Sequence, residues 1–317
     1  MNRLTLNDIQ TAAERIRPYA HRTPVLTCAS LDERVGAQVF LKCENLQKVG
    51  AFKFRGACNA VFSLSETEAR RGVVAHSSGN HAQALSLAAR LRGITAQIVM
   101  PDNAPAVKKA AVAGYGAQII YCQPTLAARE AAQAEIIAAS GAVEVHPYNN
   151  PRVIAGQGTA TLELLSEVPD LDAVIAPVGG GGLLSGTAIA AHGLSARVRV
   201  IAGEPQGADD ASRSLAAGRI IPSVDPRTIA DGLLTSLGEL TFAIIQEHVE
   251  AIVTVSEEAI IAAMRFVWER AKMLIEPSAA VAVAVLWEGK HDLNGRRVGV
   301  ILSGGNVDLE RLPWQTG

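Results

Sequence analysis

Lys53 lies in the run Ala51-Phe52-Lys53-Phe54-Arg55-Gly56-Ala57, flanked by two aromatic residues and followed by a glycine that reads as a turn opening an Ala-rich helix. Two phenyl rings beside an ammonium strip water from it. Desolvation disfavours the charged form, so an amine able to attack an aldehyde becomes accessible near neutral pH. The competing reading is a lysine whose stem covers apolar surface while its charge reaches solvent. The heptapeptide alone leaves both open.

Three further motifs place glycine and small polar residues where strand-like runs end. Ser77-Ser78-Gly79-Asn80-His81 combines a glycine suited to a tight turn with hydroxyls, an amide and the opening N–H groups of a helix. Serine and asparagine are also favoured caps, so an ordinary capping cluster is the alternative. Gly179-Gly180-Gly181-Gly182 lies between the apolar run ending at Val178 and a helical stretch. Four glycines there let main-chain N–H groups and a helix dipole approach an anion. A flexible linker fits poorly between a buried strand and a helix. Ser303-Gly304-Gly305-Asn306 adds a neutral hydroxyl at a third strand end.

A dinucleotide site competes for the glycine run, because Glu204 lies 22 positions after Gly182, close to the spacing of a ribose-binding carboxylate. The phasing is wrong. A G-x-G-x-x-G begun at Gly180 needs glycine at position 185, which is Ser185, and a dinucleotide leaves Lys53 unexplained.

The elements that must position these groups alternate between β-branched runs and Ala-rich helical patterns, which predicts an α/β fold with parallel sheets covered on both faces. Strands are expected at 39–43, 73–76, 96–100, 117–121, 173–178, 198–203, 252–255 and 298–302. Helices are expected after Thr5 and at 82–92, 126–140, 158–167, 183–192, 257–272 and 278–287. Pro147-Tyr148-Asn149-Asn150-Pro151 marks a break, which places a small lobe at residues 65–147 and a large lobe at 1–64 with 151–317. Ligands in such folds lie at the carboxyl ends of the strands.

Composition narrows the function classes. At 317 residues, with 49% hydrophobic and only 4% aromatic residues, the chain can bury a large aliphatic core but offers few rings for stacking nucleic-acid bases. A formal charge of -2 with interspersed signs leaves no footprint for DNA or an anionic membrane, so a small-molecule substrate is expected. Cys28, Cys43, Cys58 and Cys122 have no metal or disulfide spacing. The Thr5-x-x-Asp8 start reads as a helix cap, not a signal peptide, and the apolar run 279–287 is too short to span a bilayer. A cytoplasmic protein is expected.

Taken together, the Lys53 run, Ser77 to His81, the four glycines and Ser303 to Asn306 resemble the pyridoxal-phosphate enzymes of fold type II, two-lobed and tryptophan synthase β-like. Within them the chain is similar to the serine racemase and serine/threonine dehydratase family, hydroxyaspartate dehydratases included. His146-Pro147, residues 153–159, Thr228 to Gly232, residues 267–270 and Ile275-Glu276-Pro277-Ser278 extend the match over nearly the whole chain.

The resemblance implies roles. Lys53 would carry pyridoxal phosphate covalently and move the substrate α-proton. Phe52 and Asn80 would flank the ring and hold its 3-oxygen, Gly179 to Gly182 would hold the phosphate, and Ser303 would face the ring nitrogen. Ser78 would act on the opposite face, as racemisation requires. Ser77, Asn80 and His81 would bind the α-carboxylate. Glu204, Asp210 and the Ala208 carbonyl would hold Mg2+, or Ca2+ or Mn2+. A solvated turn is the other reading of that acidic loop. A homodimer and a nucleotide effector are also implied.

The expected reaction is loss of water and then ammonia from L-serine, L-threonine or 3-hydroxyaspartate, with serine racemisation beside it. Arg129 and Arg152 are the candidate cations for a β-carboxylate. Ala51 and Ala82 depart from the serine and glycine common in relatives. The chain reaches little beyond Asn306, so no isoleucine-sensing domain is expected. A dinucleotide-dependent oxidoreductase and a non-catalytic amino-acid sensor remain the alternatives.

Overall fold

The structure is a computed structural model and describes residues 3–315. Helix α1 (Leu6–Ile16) opens on the anticipated cap, with the Asp8 carboxylate accepting from the Thr5 main-chain N–H at 2.8 Å. Strand β1 (Val25–Leu26) and helix α2 (Ala29–Val35) lead to β2 (Gln38–Cys43), and helix α3 (Lys53–Phe62) carries the lysine in its first turn. There follow α4 (Glu66–Arg71), β3 (Val73–His76), α5 (Asn80–Arg92), β4 (Ala96–Pro101), α6 (Ala106–Gly114), β5 (Gln118–Cys122), α7 (Leu126–Ser140) and β6 (Val143–Glu144). Helix α8 (Pro151–Glu167) precedes β7 (Ala173–Pro177), α9 (Gly182–Leu194), β8 (Arg199–Pro205), α10 (Asp210–Ala217) and α11 (Glu239–His248). The chain finishes through β9 (Ala251–Val255), α12 (Glu257–Phe266), α13 (Pro277–Trp287) and β10 (Arg297–Leu302).

Two sheets result, ordered β1-β2-β10-β7-β8-β9 and β5-β4-β3-β6. Every neighbouring pair is parallel except β1 with β2, as expected for strands alternating with helices. Strand β7 is buried along its whole length, and α13, apolar on all sides, is buried from Ser278 to Leu286. Among the described residues no helix is long and apolar enough to cross a membrane.

The motif glycines at 56, 156 and 158 are not turns. Gly56 lies inside α3, where a Cβ would come within 2.8 Å of the Val153 carbonyl, and a Cβ on Gly156 would meet the Arg55 carbonyl at 2.6 Å. Gly158 and Gly186 stand in the same relation across α8 and α9. Glycine here lets helix backbones touch. Helix α8 therefore runs through its glycines from Pro151, capped by the Asn150 side chain, and does not begin at position 158. The helix expected over 257–272 is α-helical to Phe266 and continues as a π-turn over Val267–Ala271, stopping at Lys272 in the left-handed region (φ 58°).

Beneath α3 lies a buried charge cluster. The Arg55 guanidinium forks onto Glu44 at 2.7 and 2.8 Å and onto Glu163 at 2.8 Å on both oxygens. Lys42 donates to Glu163 at 2.6 Å and to the Thr23 carbonyl at 2.7 Å. Arg55, Lys42 and Glu44 are wholly excluded from solvent, so α3 is tied to β2 and α8 by paired charges.

Candidate active site

The parallel strands deliver the motifs to one end of each sheet: Ser77 after β3, Gly179 after β7, Gln206 after β8 and Ser303 after β10. The Lys53 segment joins them, since the Phe52 N–H donates to the Ser303 carbonyl at 3.0 Å and Ala51 bridges Gly304.

Lys53 is half-buried, and its Nζ donates to the Pro147 carbonyl at 2.9 Å. Burial lowers its pKa to about 8, while the Glu276 carboxylate pulls it back upward. The desolvation does not come from two flanking rings. Neighbours separated by two positions on a helix point apart. Nζ lies 5.3 Å from the Phe52 ring, whereas Phe54 packs into the core of the four-stranded sheet, its ring faced by Lys48.

Helix α5 begins two residues earlier than expected, at Asn80, which puts Asn80 and His81 in its first turn. No side chain caps it, and among the described residues the N–H groups of residues 80–82 have no acceptor, as a carboxylate site needs. Ser77 instead accepts from the Gly79 N–H at 3.4 Å. The Asn80 amide donates to Glu276 at 3.0 and 3.2 Å and accepts from Asn306 at 2.9 Å. The His81 ring is buried with Nε2 2.8 Å from the Val145 carbonyl, which makes Nε2 the protonated nitrogen. Burial lowers its pKa to about 3. A neutral ring so placed leaves the main-chain N–H as the donor His81 offers a carboxylate.

In the glycine loop Gly181 takes φ 87° as the cap of α9, and the Gly180 carbonyl accepts from Thr241 at 2.8 Å. Gly179 abuts Leu233, where a Cβ would come within 2.9 Å of its Cα. Among the described residues none of the four N–H groups has an acceptor. Four amides at a helix N-terminus thus stand ready for an anion.

Glu276 was legible only as part of a motif. It is buried, accepts from Asn80 and from the Asn306 N–H at 3.1 Å, and burial raises its pKa to about 7. The sequence signal was an acidic residue set between apolar residues directly before a helix-opening proline. His146 was likewise read only as part of a motif. Its Nδ1 accepts from the Asn149 N–H at 2.9 Å, and burial lowers its pKa to about 4.

Among the described residues none of the remaining candidates bonds to Lys53. Arg129 folds onto its own helix, Nε 3.3 Å from the Thr125 carbonyl, with its charge beside His76. Arg152 pairs with Glu68 at 3.5 Å. Glu204 is buried and accepts from the Ala211 and Ser212 N–H groups, each at 2.8 Å, so it caps α10. Burial raises Glu204 to about 8 and Asp210 to about 6, and one Asp210 oxygen is buried without a partner. Among the described residues no three His, Cys, Asp or Glu side chains gather as a metal site.

A lysine with a lowered pKa, linked through Pro147 and Tyr148 to a glycine loop with unpaired amides, is the arrangement on which comparison with known proteins turns. The family model described as pyridoxal-phosphate dependent enzyme matches residues 16–304. The chain belongs to that family. It is 51% identical over 318 residues to the serine racemase of Dictyostelium discoideum, covering 98% of each chain. It is 51% identical over 310 residues to the beta-hydroxyaspartate dehydratase of Paracoccus denitrificans, again covering 98% of each. The crystal structure of the Dictyostelium discoideum serine racemase superposes with a TM-score of 0.93 at 52% identity, over 96% of this chain and 99% of that one. The fold is therefore that of fold type II pyridoxal-phosphate enzymes. The residues present fit the cofactor: a lysine with a depressed pKa serves an aldehyde, and four unpaired amides at a helix start serve a phosphate.

Proposed function

We propose that the protein removes water and ammonia from a β-hydroxy amino acid to give a 2-oxo acid, with serine racemisation beside it. One observation carries this reading. Lys53 is bonded to Pro147, and the next residue, Tyr148, packs against Gly180 and Gly182, so amine and anion cradle are joined through two consecutive residues. The names of the serine racemase and the beta-hydroxyaspartate dehydratase support the substrate class.

Lys53 and the glycine loop would hold pyridoxal phosphate, with Phe52 and Asn80 against its ring and Ser303 at its nitrogen. When bound, the cofactor acidifies the substrate α C–H. The N–H groups opening α5, with Ser77, hold the α-carboxylate, and the free Lys53 amine takes the α-proton from one face. The β-hydroxyl departs with a proton as water. The released enamine takes up one water and loses ammonia, which leaves the 2-oxo acid. Ser303 presents a neutral hydroxyl, which does not hold a pyridinium cation as a carboxylate would, and this favours expulsion of the β-hydroxyl.

Ser78 serves the opposite face. Ser78→Ala is expected to abolish D/L-serine interconversion while leaving 2-oxo acid formation from the L-substrate within about threefold, a split to be followed by chiral chromatography and a 2-oxo acid assay. Equal loss of both activities refutes the two-face assignment. The substrate itself is decided by comparing kcat/KM for L-serine, L-threonine and the 3-hydroxyaspartate isomers. Failure of all to yield a 2-oxo acid overturns the proposal.

Glu204, Asp210 and the Ala208 carbonyl fit a hard divalent cation, because two desolvated carboxylates and an unpartnered oxygen gain most from one. Millimolar Mg2+ should raise the melting temperature of the wild type and leave that of Asp210→Ala unchanged. The same rise in both would remove the site. The four free cysteines support work in the reducing cytoplasm. Exposed Leu26, Leu46 and Leu274 line one groove of about 390 Å³, which supports a homodimer that covers it.

A further inference from the structure

We propose that Tyr148 is a positioning residue that sets the glycine loop against Lys53. The proposal rests on the reading that this loop holds a phosphate. A Cβ on Gly180 would fall 2.3 Å from two carbons of the Tyr148 ring, and one on Gly182 would fall 2.9 Å from the Tyr148 Cα and Cβ. Two of the four glycines therefore lack a side chain because Tyr148 fills that space. The N–H groups of the same four residues have no acceptor among the described residues. The loop that Tyr148 shapes is thus the one that offers its amides to an anion.

Tyr148 is itself held from three directions. Its N–H donates to His146 Nδ1 at 3.3 Å, and its ring stands edge-on to the His146 ring with centroids 4.5 Å apart. The Thr235 side chain lies beside its hydroxyl, and burial raises the phenol pKa, so the hydroxyl stays protonated. Its neighbour Pro147 accepts the Lys53 hydrogen bond at 2.9 Å. Two adjacent residues thus contact both ends of the cradle, and their fixed peptide geometry sets the separation of amine and phosphate amides. Glycine-rich backbone has no such preference of its own. Without the ring the loop must be ordered by the ligand, and binding weakens by that cost.

The test uses cofactor-free protein with inorganic phosphate as the probe, followed by pyridoxal phosphate, and reads dissociation constants by fluorescence titration alongside urea unfolding. Tyr148→Ala should bind both ligands about 10-fold or more weakly, and Tyr148→Phe, which keeps the ring, should stay within about twofold of wild type. If Tyr148→Ala does not fold, Tyr148→Leu stands in for it with the same expected loss. Wild-type phosphate affinity in the folded ring-less variant overturns the proposal, even where urea stability has dropped. So does a Tyr148→Phe variant as weak as Tyr148→Ala. Wild-type protein indifferent to phosphate would instead overturn the reading of the glycine loop.

Discussion

Replacing Lys53 with alanine is expected to leave a folded protein whose 2-oxo acid production falls by about 10⁴-fold, the scale set by losing a positioned proton carrier. The near-visible absorbance of bound cofactor should vanish with it, and borohydride should label the peptide containing residue 53 in wild type only. The pH dependence follows from burial. Lys53 titrates near 8, so in cofactor-free protein its reaction with an aldehyde should be slow below that pH, where the ammonium persists, and level off above it. Glu276 opposes the shift, so Glu276→Gln should move the midpoint downward. A variant without Lys53 that turns over at the wild-type rate would show that another group moves the α-proton. Bound cofactor with no turnover of any β-hydroxy amino acid would favour the sensor.

Arg55→Met should cost about 3–5 kcal/mol of unfolding free energy in urea, because it leaves Glu44 buried without its counter-charge. The figure follows from geometry: Arg55 and Glu44 are fully buried and bonded at 2.7 and 2.8 Å. The exposed Arg213–Asp209 pair on α10 has the same 2.8 Å contact, yet Arg213→Ala should change stability by less than about 1 kcal/mol. An equal effect at both positions would show that the buried cluster is not a structural anchor. Helix α3 has no side-chain cap, so this cluster fastens the helix that carries Lys53.

Much of this was readable because strand interiors and loop glycines carry local signals. The run at 73–76 emerged with the expected bounds, and β7 with its following glycines stands where apolar residues gave way to glycine. Features that depend on distant contacts were not readable. The helix was expected to open at Gly158, yet Gly156 and Gly158 are helix-crossing points inside it, since only the folded chain puts the Arg55 carbonyl 2.6 Å from where a Gly156 Cβ would sit. Helices α2, α4, α6, α10 and α11 escaped notice because each has ten residues or fewer, too few turns to establish a period. Strands β1 and β6, of two residues each, are too short to show a period. At the site, Lys53 and the glycine run announced themselves by composition. Glu276 and Tyr148 did not, because a carboxylate or a phenol gains its role here from neighbours far away in sequence.

Strand β10 slots between β2 and β7, pairing Gln38 with Arg297 and placing Ser303 against Phe52. A chain emerging from the ribosome therefore carries its reactive amine for some 250 residues before the wall behind it exists. Contacts of such long range form late and slowly. On the proposed reading of Lys53, cofactor loading must wait for the finished chain, because the strand that backs the amine is the last one made.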